Sequence, residues 1–168
     1  LNSSIFFDLD SVYGQAELVE ELKDLLATSA SANEPFLAAL ARNALNRTPP
    51  LGFFRTFVME QDGAQKNIIN LKGRGTALTD LIRVHALACG SKAQNSFDRL
   101  DAIATTRLMP PDAVTRLRYS LEFLTSVRIR HQALELEEGR EPNNYIEPEK
   151  ISTAERHNLK EAFQVLSN

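Results

Sequence analysis

The feature that most constrains the fold is one unbroken helical pattern between Pro110 and Gly139. Leu117, Leu121 and Leu124 recur at the spacing of one helix face, and after Pro111 neither proline nor glycine interrupts the run. A helix of this length with an apolar stripe needs other elements to cover that stripe. The pattern therefore predicts a long helix that ends near Glu138 and packs inside a helical bundle.

The same face of this predicted helix changes from leucine to polar side chains in its second half. At about 100° per residue, Arg128, His131 and Gln132 stay within the arc that carries the leucines. Polar groups on a buried or half-buried face are costly unless they are hydrogen-bonded. Either another helix or a ligand must therefore satisfy these three side chains.

A second helical pattern, from about Thr76 to Ala88, also carries charge on its apolar side. Asp80 lies inside the apolar arc, and Arg83 follows three residues later, where the two can pair. The economical arrangement has this pair facing the polar half of the long helix. Such a layer can fix the register of the bundle. Alternatively it can form a pocket for an anionic small molecule such as a nucleotide phosphate, since arginine binds phosphate through two donors.

The rest of the chain carries further helical patterns, separated by capping and turn residues. Helices are predicted over Ala16–Thr28, from about Asn33 to Pro49, over about Gln94–Arg107, and after the capping box Ser152–Glu155. The expected fold class is all-α, an antiparallel bundle of four or more helices. Phe53–Glu60 fits either a helix continuation or a strand, and Gly73-Arg74-Gly75 is interpreted as a tight turn in preference to an anion site.

The start of the chain is predicted to differ from the bundle. Ile5–Leu9 is apolar and aromatic and is followed by Val12-Tyr13-Gly14, a pattern that predicts a short strand ending in a turn. Nothing in the next forty or so residues offers that strand a partner. We therefore expect residues 1–14 to be the remnant of a preceding domain and residues 15–168 to form the helical bundle.

Composition excludes several classes of function. The formal net charge of -3 and the absence of a basic patch argue against nucleic acid as a partner. Cys89 is the only cysteine, so the chain has no disulfide framework and no cysteine zinc site. The three histidines lack clustered carboxylates, which predicts no metal site. No apolar run is long enough for a membrane span, and no nucleophile–base pair is evident.

Short segments along the chain match, in order, the motifs of a known family. They are Phe6–Leu9, Pro50–Phe54, Asn70–Gly75, Asp80–Leu87, Arg128–Gln132, Pro142–Ile146 and Glu155–Phe163. Each motif is weak by itself, but their number and order make the joint match specific. Through them the chain resembles the nucleotidyltransferase substrate-binding domains of the DUF294 C-terminal family, found in bacterial signalling proteins.

The resemblance implies a longer cytoplasmic parent protein. That parent would carry CBS and cyclic-nucleotide-binding-like domains, then a nucleotidyltransferase domain similar to that of PII-uridylyltransferases, then this bundle. Magnesium and a nucleoside triphosphate would bind to the parent's nucleotidyltransferase domain, with no cofactor in the present part of the chain. The bundle alone would not catalyse a reaction.

The resemblance also implies a role for the polar layer, which would contact a nucleotide or an acceptor (small molecule or protein) beside the transferase cleft. The contacting residues would be Asp80, Arg83, Arg128, His131 and Gln132, with Lys72 and Asn144 as weaker candidates. Asp8 is either a late member of the transferase carboxylates or a polar residue at a strand end. The rival prediction is a non-catalytic interaction or homodimerisation module whose polar layer is structural.

Overall fold

The computed structural model describes residues 2–46, 60–61 and 67–165, which group into two units. The first unit comprises Leu1–Asn46 and Thr79–Val114, and the second comprises Arg47–Leu78 and Thr115–Asn168. Most of the described residues are helical, and the strands among them are two to four residues long. The prediction of an all-α fold with four or more helices is confirmed.

Two helices of the first unit begin at side-chain caps. Its elements are α1 (Ala16–Ser31), α2 (Glu34–Asn46), the second part of α3 (Leu71–Ala88) and α4 (Ser96–Ala104). The Phe36 amide donates to Asn33 Oδ1 at 3.0 Å at the start of α2, and Pro35 lies in the first turn. The Phe97 amide donates to Asn95 Oδ1 at 2.8 Å at the start of α4. These caps satisfy amides that have no partner within the helix.

The core of the first unit joins its helices to the N-terminal segment. Buried Ala30, Leu40 and Leu87 form its centre. Phe7 and Phe36 pack against this cluster, with their ring centroids 5.9 Å apart. Residues before α1 are therefore part of the core of this unit.

The N-terminal segment Asn2–Asp8 is a 3₁₀ helix, so the prediction of a strand remnant over Ile5–Leu9 is wrong. An isolated strand leaves its backbone N–H and C=O groups without partners, whereas a 3₁₀ helix bonds them locally. A side chain of α4 fixes the end of the segment, because Arg99 donates to the Phe7 carbonyl oxygen at 2.9 Å. Within this apolar segment Phe7 is partly buried against the core, whereas Ile5 and Phe6 are exposed.

The second unit combines helices with a small antiparallel sheet. Its elements are β1 (Glu60–Gln61), β2 (Asn67–Asn70), the first part of α3, most of α5 (Pro111–Glu137), β3 (Tyr145–Ile146), a 3₁₀ turn (Pro148–Lys150) and α6 (Thr153–Gln164). The strand order is β1-β2-β3, with Glu60 opposite Ile68 and Ile69 opposite Ile146. The sheet thereby attaches the chain that follows α5 to the chain that precedes α3.

Helix α3 begins at Leu71, five residues earlier than predicted, and Gly73-Arg74-Gly75 lies within its first turns. The prediction of a tight turn there is wrong. Asn70 Oδ1 accepts from the Gly73 amide at 2.9 Å, and the Asn144 carbonyl accepts from the Leu71 amide at 2.9 Å. Arg74 is buried, with its guanidinium carbon 4.9 Å from the centroid of the Phe163 ring. Capping and this cation–π contact offset the low helix propensity of the glycines.

Glycines end two of the predicted helices where the sequence places them. Gly90 follows α3 with φ 70°, and Gly139 follows α5 with φ 71°. After α5, the Gly139 amide donates to the Leu136 carbonyl and the Arg140 amide to the Glu135 carbonyl. This paired arrangement is the Schellman motif, whose left-handed residue is least costly as glycine. Both helices therefore end close to where the sequence pattern places their last residues, Ala88 and Glu138.

The predicted capping box of the last helix is confirmed at its first residue, since Ser152 Oγ accepts from the Glu155 amide at 3.1 Å. The ambiguous segment Phe53–Glu60 lies outside the described residues except for Glu60, which belongs to β1. The motif Pro50–Phe54 also lies outside them. Among the helices that the structure describes, none combines the length and apolar character needed to cross a bilayer.

Candidate functional site

A charged cluster in the first unit holds the N-terminal segment to α3 and α4. Arg83 Nη1 donates to Asp80 Oδ1 at 2.5 Å, so the predicted pairing within α3 is confirmed. Arg83 Nη2 donates to Asp8 Oδ2 at 2.8 Å, and Arg99 Nη2 donates to Asp8 Oδ1 at 2.7 Å. Each oxygen of the Asp8 carboxylate therefore accepts from a guanidinium group.

Arg99 is the most deeply buried member of this cluster, with 2% of its surface exposed. Its Nε donates to the Ala93 carbonyl at 2.8 Å. Burial lowers the pKa of Arg99, and the neighbouring Asp8 carboxylate opposes that shift. The sequence analysis did not select Arg99. The available signal was its position four residues before Ile103, on the apolar face of α4.

In the second unit, the polar half of α5 is hydrogen-bonded to the loop that follows this helix. His131 Nε2 lies 3.2 Å from Asn143 Oδ1, and Gln132 Nε2 donates to Asn144 Oδ1 at 3.3 Å. The Asn144 carbonyl also accepts from the Leu71 amide, which anchors this loop to the start of α3. Three of the predicted site residues, His131, Gln132 and Asn144, thus belong to one hydrogen-bonded layer.

Glu135 extends this layer by one helical turn and was missed by the sequence analysis. Its carboxylate accepts from Arg140 Nη2 at 2.7 Å, from Arg140 Nε at 3.0 Å and from Asn143 Nδ2 at 3.3 Å. The hydrogen bonds from Arg140 lower the pKa of Glu135, against the effect of desolvation. The missed signal was its position four residues after His131, on the same helix face.

A groove of about 730 Å³ lies beside this layer, entirely within the second unit. Buried Val127 and Ile146 contribute apolar surface to it, and the half-exposed ring of Tyr145 lines it as well. Of the site residues predicted from the sequence, His131 lines the groove. The structure thereby associates the histidine of the polar signature with a concave surface of ligand-binding size.

The charged side chains that line this groove are joined in ion pairs. These pairs are Arg130–Glu155 at 3.3 Å, Lys150–Glu147 at 2.9 Å, and Arg140 with Glu135 at 2.7 Å and with Glu138. Bonding to the two glutamates raises the pKa of Arg140. Each cationic side chain among the described lining residues therefore already contacts a carboxylate.

Other predicted site residues occupy different positions in the second unit. Arg128 is half-buried, and its Nε atom is buried without a hydrogen-bond partner in the described part of the chain. Lys72 is exposed in the first turn of α3, where its carbonyl accepts from Thr76 Oγ1 at 2.9 Å. Like Gln132 and Asn144, these two residues are not among the lining residues of the groove.

The proposed layer across two helices divides between the units. Asp80 and Arg83 belong to the first unit, and Arg128, His131 and Gln132 belong to the second. The hydrogen bonds described for each set are formed within its own unit, and the Nε atoms of Arg83 and Arg128 are buried without a partner among the described residues. The facing arrangement stays a prediction.

The donor set for the magnesium implied by the resemblance can be tested on the described residues. Among residues 2–46, 60–61 and 67–165, His, Cys, Asp and Glu side chains form no group of three or more that could hold a metal ion. The Asp8 carboxylate, the one candidate named from the sequence, is engaged by two arginines. The described residues therefore do not fit a magnesium site.

Residues 34–168 match the family described as "Putative nucleotidyltransferase substrate binding domain". The chain belongs to this family. The match includes α3, α5 and the loop over 143–151, and hence the groove and every predicted site residue except Asp8. The substrate-binding domain family therefore covers the second unit and part of the first. No curated protein and no solved structure matches the chain.

Proposed function

We propose that the groove beside α5 is where this nucleotidyltransferase substrate-binding domain holds a substrate of the transfer reaction. The observation that carries the proposal is the groove itself, about 730 Å³ within the residues that match the family. Small-molecule sites in proteins commonly have volumes of about 300–1,000 Å³. The groove is large enough for a nucleoside or for one side chain of a protein acceptor.

The lining of the groove has the mixture of surfaces that a specific site needs. Val127, Ile146 and Ile151 supply apolar contact, and Tyr145 supplies an aromatic face. His131 supplies a polar group whose position is fixed by Asn143. An apolar surface with a few oriented polar groups gives affinity through burial and specificity through hydrogen bonds.

The transfer reaction itself is proposed to take place in another domain of a longer protein. The family resemblance supports a preceding nucleotidyltransferase domain related to PII-uridylyltransferases, with magnesium and a nucleoside triphosphate bound there. It also supports regulatory CBS and cyclic-nucleotide-binding-like domains and a role in bacterial signal transduction in the cytoplasm. In this scheme the present chain supplies binding and orientation of a substrate.

Calorimetric titration of the full-length protein tests the site. The ligands are the nucleoside triphosphates with magnesium and a panel of hydroxyl-bearing acceptors. His131→Ala should weaken binding of the substrate about tenfold, the effect of one lost hydrogen bond. His157→Ala, an exposed histidine of α6, is the matched control and should leave affinity unchanged.

Equal affinity of the wild type and the His131→Ala variant would exclude the groove as the site.

The Arg128→Ala variant distinguishes a substrate-binding role of the polar layer from a purely structural role. A direct contact predicts loss of affinity at nearly unchanged stability. A structural role predicts loss of stability and no stabilisation of the wild-type protein by ligand in thermal melts.

A second candidate function, a protein-interaction or dimerisation module, is favoured by one observation on α1. Leu18, Leu22 and Leu25 follow one face of this helix and are 62%, 41% and 63% exposed. Apolar side chains aligned on a helix face are typical of surfaces that bind a partner. Sedimentation velocity tests this function: a homodimer through this face should dissociate in the Leu18→Lys, Leu22→Lys double variant and persist in Leu45→Lys, an exposed leucine of α2.

A further inference from the structure

The hydrogen bonds of Asn143 determine the orientation of its side-chain amide. The Tyr145 backbone amide lies 2.8 Å from Asn143 Oδ1 and can only donate, so this atom is the carbonyl oxygen. Asn143 Nδ2 then lies 3.3 Å from Glu135 Oε2, where it donates to a carboxylate. Both contacts agree on one orientation, and the reversed amide would place donor against donor and acceptor against acceptor.

This orientation determines which nitrogen of His131 carries the proton in the neutral ring. His131 Nε2 lies 3.2 Å from Asn143 Oδ1, an atom that can only accept, so Nε2 must be the N–H donor. The other nitrogen, Nδ1, then has a lone pair in neutral imidazole. In the part of the chain that the structure describes, no hydrogen bond to Nδ1 is present.

The charges around the groove disfavour a phosphate ligand. The lining carries Arg130, Arg140 and Lys150, each of which already contacts a glutamate. The lining glutamates, four in number among the described residues, outnumber these cations. A triphosphate would have to displace carboxylates from the guanidinium groups and would meet the repulsion of those carboxylates.

We propose that His131 Nδ1 accepts a hydrogen bond from a hydroxyl group of the acceptor substrate, and that Asn143 positions the ring for this contact. The inference rests on the proposed function, because it assumes that the groove holds a substrate. In nucleotidyl transfer the acceptor presents a nucleophilic hydroxyl, which is a donor, whereas the triphosphate presents charged oxygens, which are acceptors. The lone pair on His131 Nδ1 can accept a hydrogen bond from the hydroxyl of the acceptor, and the ion-paired cations among the described lining residues of the groove leave no free positive charge for the triphosphate.

The contact orients the acceptor and involves no transfer of a proton to the protein. The linkage from Arg140 through Glu135 and Asn143 keeps the hydrogen on Nε2 and so keeps the lone pair on Nδ1. Substitution of Asn143 should therefore affect binding through the tautomer of His131. Asn143 is a positioning residue, since it acts through His131.

The tautomer is measured directly by long-range ¹H–¹⁵N correlation spectra of protein labelled with ¹⁵N-histidine, recorded under conditions in which the imidazole ring is neutral. His131→Gln assigns the signal by its loss. We expect the Nε2–H tautomer in the wild-type protein and a mixture of both tautomers in Asn143→Ala. Asn144→Ala, which removes the bond to Gln132 instead, is the matched control and should keep the wild-type pattern. The Nδ1–H tautomer in the wild type would overturn the proposal.

The ligand class is tested by titrating the same labelled protein with two sets of probes. The first set is tyrosinamide, serinamide and methyl ribofuranoside, each compared with an analogue that lacks the hydroxyl group. The second is inorganic pyrophosphate and triphosphate. We expect a hydroxyl probe to shift Nδ1 of His131 and to bind about tenfold more tightly than its match, a difference that His131→Phe should abolish.

The outcomes separate this inference from the function on which it rests. Perturbation of His131 by the phosphates but not by the hydroxyl probes would confirm a substrate site in the groove and overturn the assignment to the acceptor. No perturbation by either set would overturn both proposals. A hydroxyl probe that binds with equal affinity to wild type and His131→Phe would overturn the contact to Nδ1.

Discussion

The two charged clusters of this protein contain similar residue types and use them differently. In the first unit, each carboxylate oxygen of Asp8 binds a guanidinium group, and Arg99, one of the two donors, is buried. In the second unit, the network of His131, Glu135 and Asn143 ends at a groove and leaves one ring nitrogen with a lone pair. In the first cluster both oxygens of the Asp8 carboxylate are engaged, whereas in the second cluster His131 Nδ1 has no hydrogen-bond partner among the described residues.

This difference separates a structural cluster from a binding cluster. A carboxylate whose two oxygens both accept from arginines stabilises the arrangement of the segments that supply these groups, and removing one partner is costly. A polar group that is positioned from one side and open on the other can exchange water for a ligand. Substitutions in the first cluster should therefore reduce stability, and substitutions beside the groove should reduce binding.

The largest effect is expected from Asp8→Ala, which removes the carboxylate that faces buried Arg99. We expect the free energy of unfolding to fall by about 2 kcal/mol, below the 3–5 kcal/mol of a fully buried pair because the Asp8 side chain is 41% exposed. Urea denaturation measures the loss. Asp10→Ala, whose carboxylate is exposed and 3.6 Å from Lys23, is the control and should change stability by less than about 0.5 kcal/mol.

Unchanged stability in Asp8→Ala would contradict the structural role of the first cluster. It would instead favour the alternative in which Asp8 is one of the carboxylates of a transferase site. Affinity for substrate should be the same in Asp8→Ala and in the wild type if the two clusters are as distinct as we describe.

The next effect concerns Arg140→Ala and depends on pH. Because Arg140 lowers the pKa of Glu135 below its usual 4.5, the pair stabilises the folded state above pH 4.5 and this stability is lost as the pH falls through the lowered pKa. The variant should be less stable than wild type at pH 7, and the difference should disappear in acid. Urea denaturation across pH measures it, and Arg116→Ala, an exposed arginine of α5, should show no such pH dependence.

A difference that stays constant down to low pH would contradict the ion pair between Arg140 and Glu135. The variant would then act through packing of the arginine side chain alone. In that case the positioning of Asn143 by Glu135 would lose its support, and the comparison between the clusters would weaken.

Removal of a helix N-cap should reduce the free energy of unfolding by the same smaller amount in both units, so it serves as a reference for the two clusters. Asn95→Ala removes the cap of α4 in the first unit, and Ser152→Ala removes the cap of α6 in the second. Each should reduce the free energy of unfolding by about 1 kcal/mol, the usual value of a side-chain N-cap. Glycine at either position should restore most of the loss, and a failure to do so would show that the side chain acts beyond the cap.

The smallest effect is expected from Arg128→Met, which keeps an apolar stem of similar length and removes the guanidinium group. Its buried Nε has no hydrogen-bond partner among the described residues, so its removal should change stability by less than about 0.5 kcal/mol. Thermal denaturation provides the measurement. A loss above about 2 kcal/mol would show that Arg128 is a structural member of the layer and would favour the interaction module.

The fold followed from the sequence where local signals were strong. Periodicity predicted α1 and α5 with ends close to those observed, and Gly90, Gly139 and Ser152 marked ends that the structure confirms. These signals succeed because propensity, capping and side-chain period act within a few residues of the chain. The early start of α3 was missed because its stabilising contacts include Phe163, about ninety residues away.

For the candidate site, the sequence by itself determined which helix face is polar and therefore which side chains, Arg128, His131 and Gln132, need partners. Only the tertiary structure decided what those partners are. Asn143 and Glu135 complete the layer beside the groove, and Arg99 binds Asp8 across ninety-one residues of sequence. The physical reason is that helical period reports the direction of a side chain, whereas a hydrogen bond requires two groups within about 3 Å, a distance that only the folded chain sets.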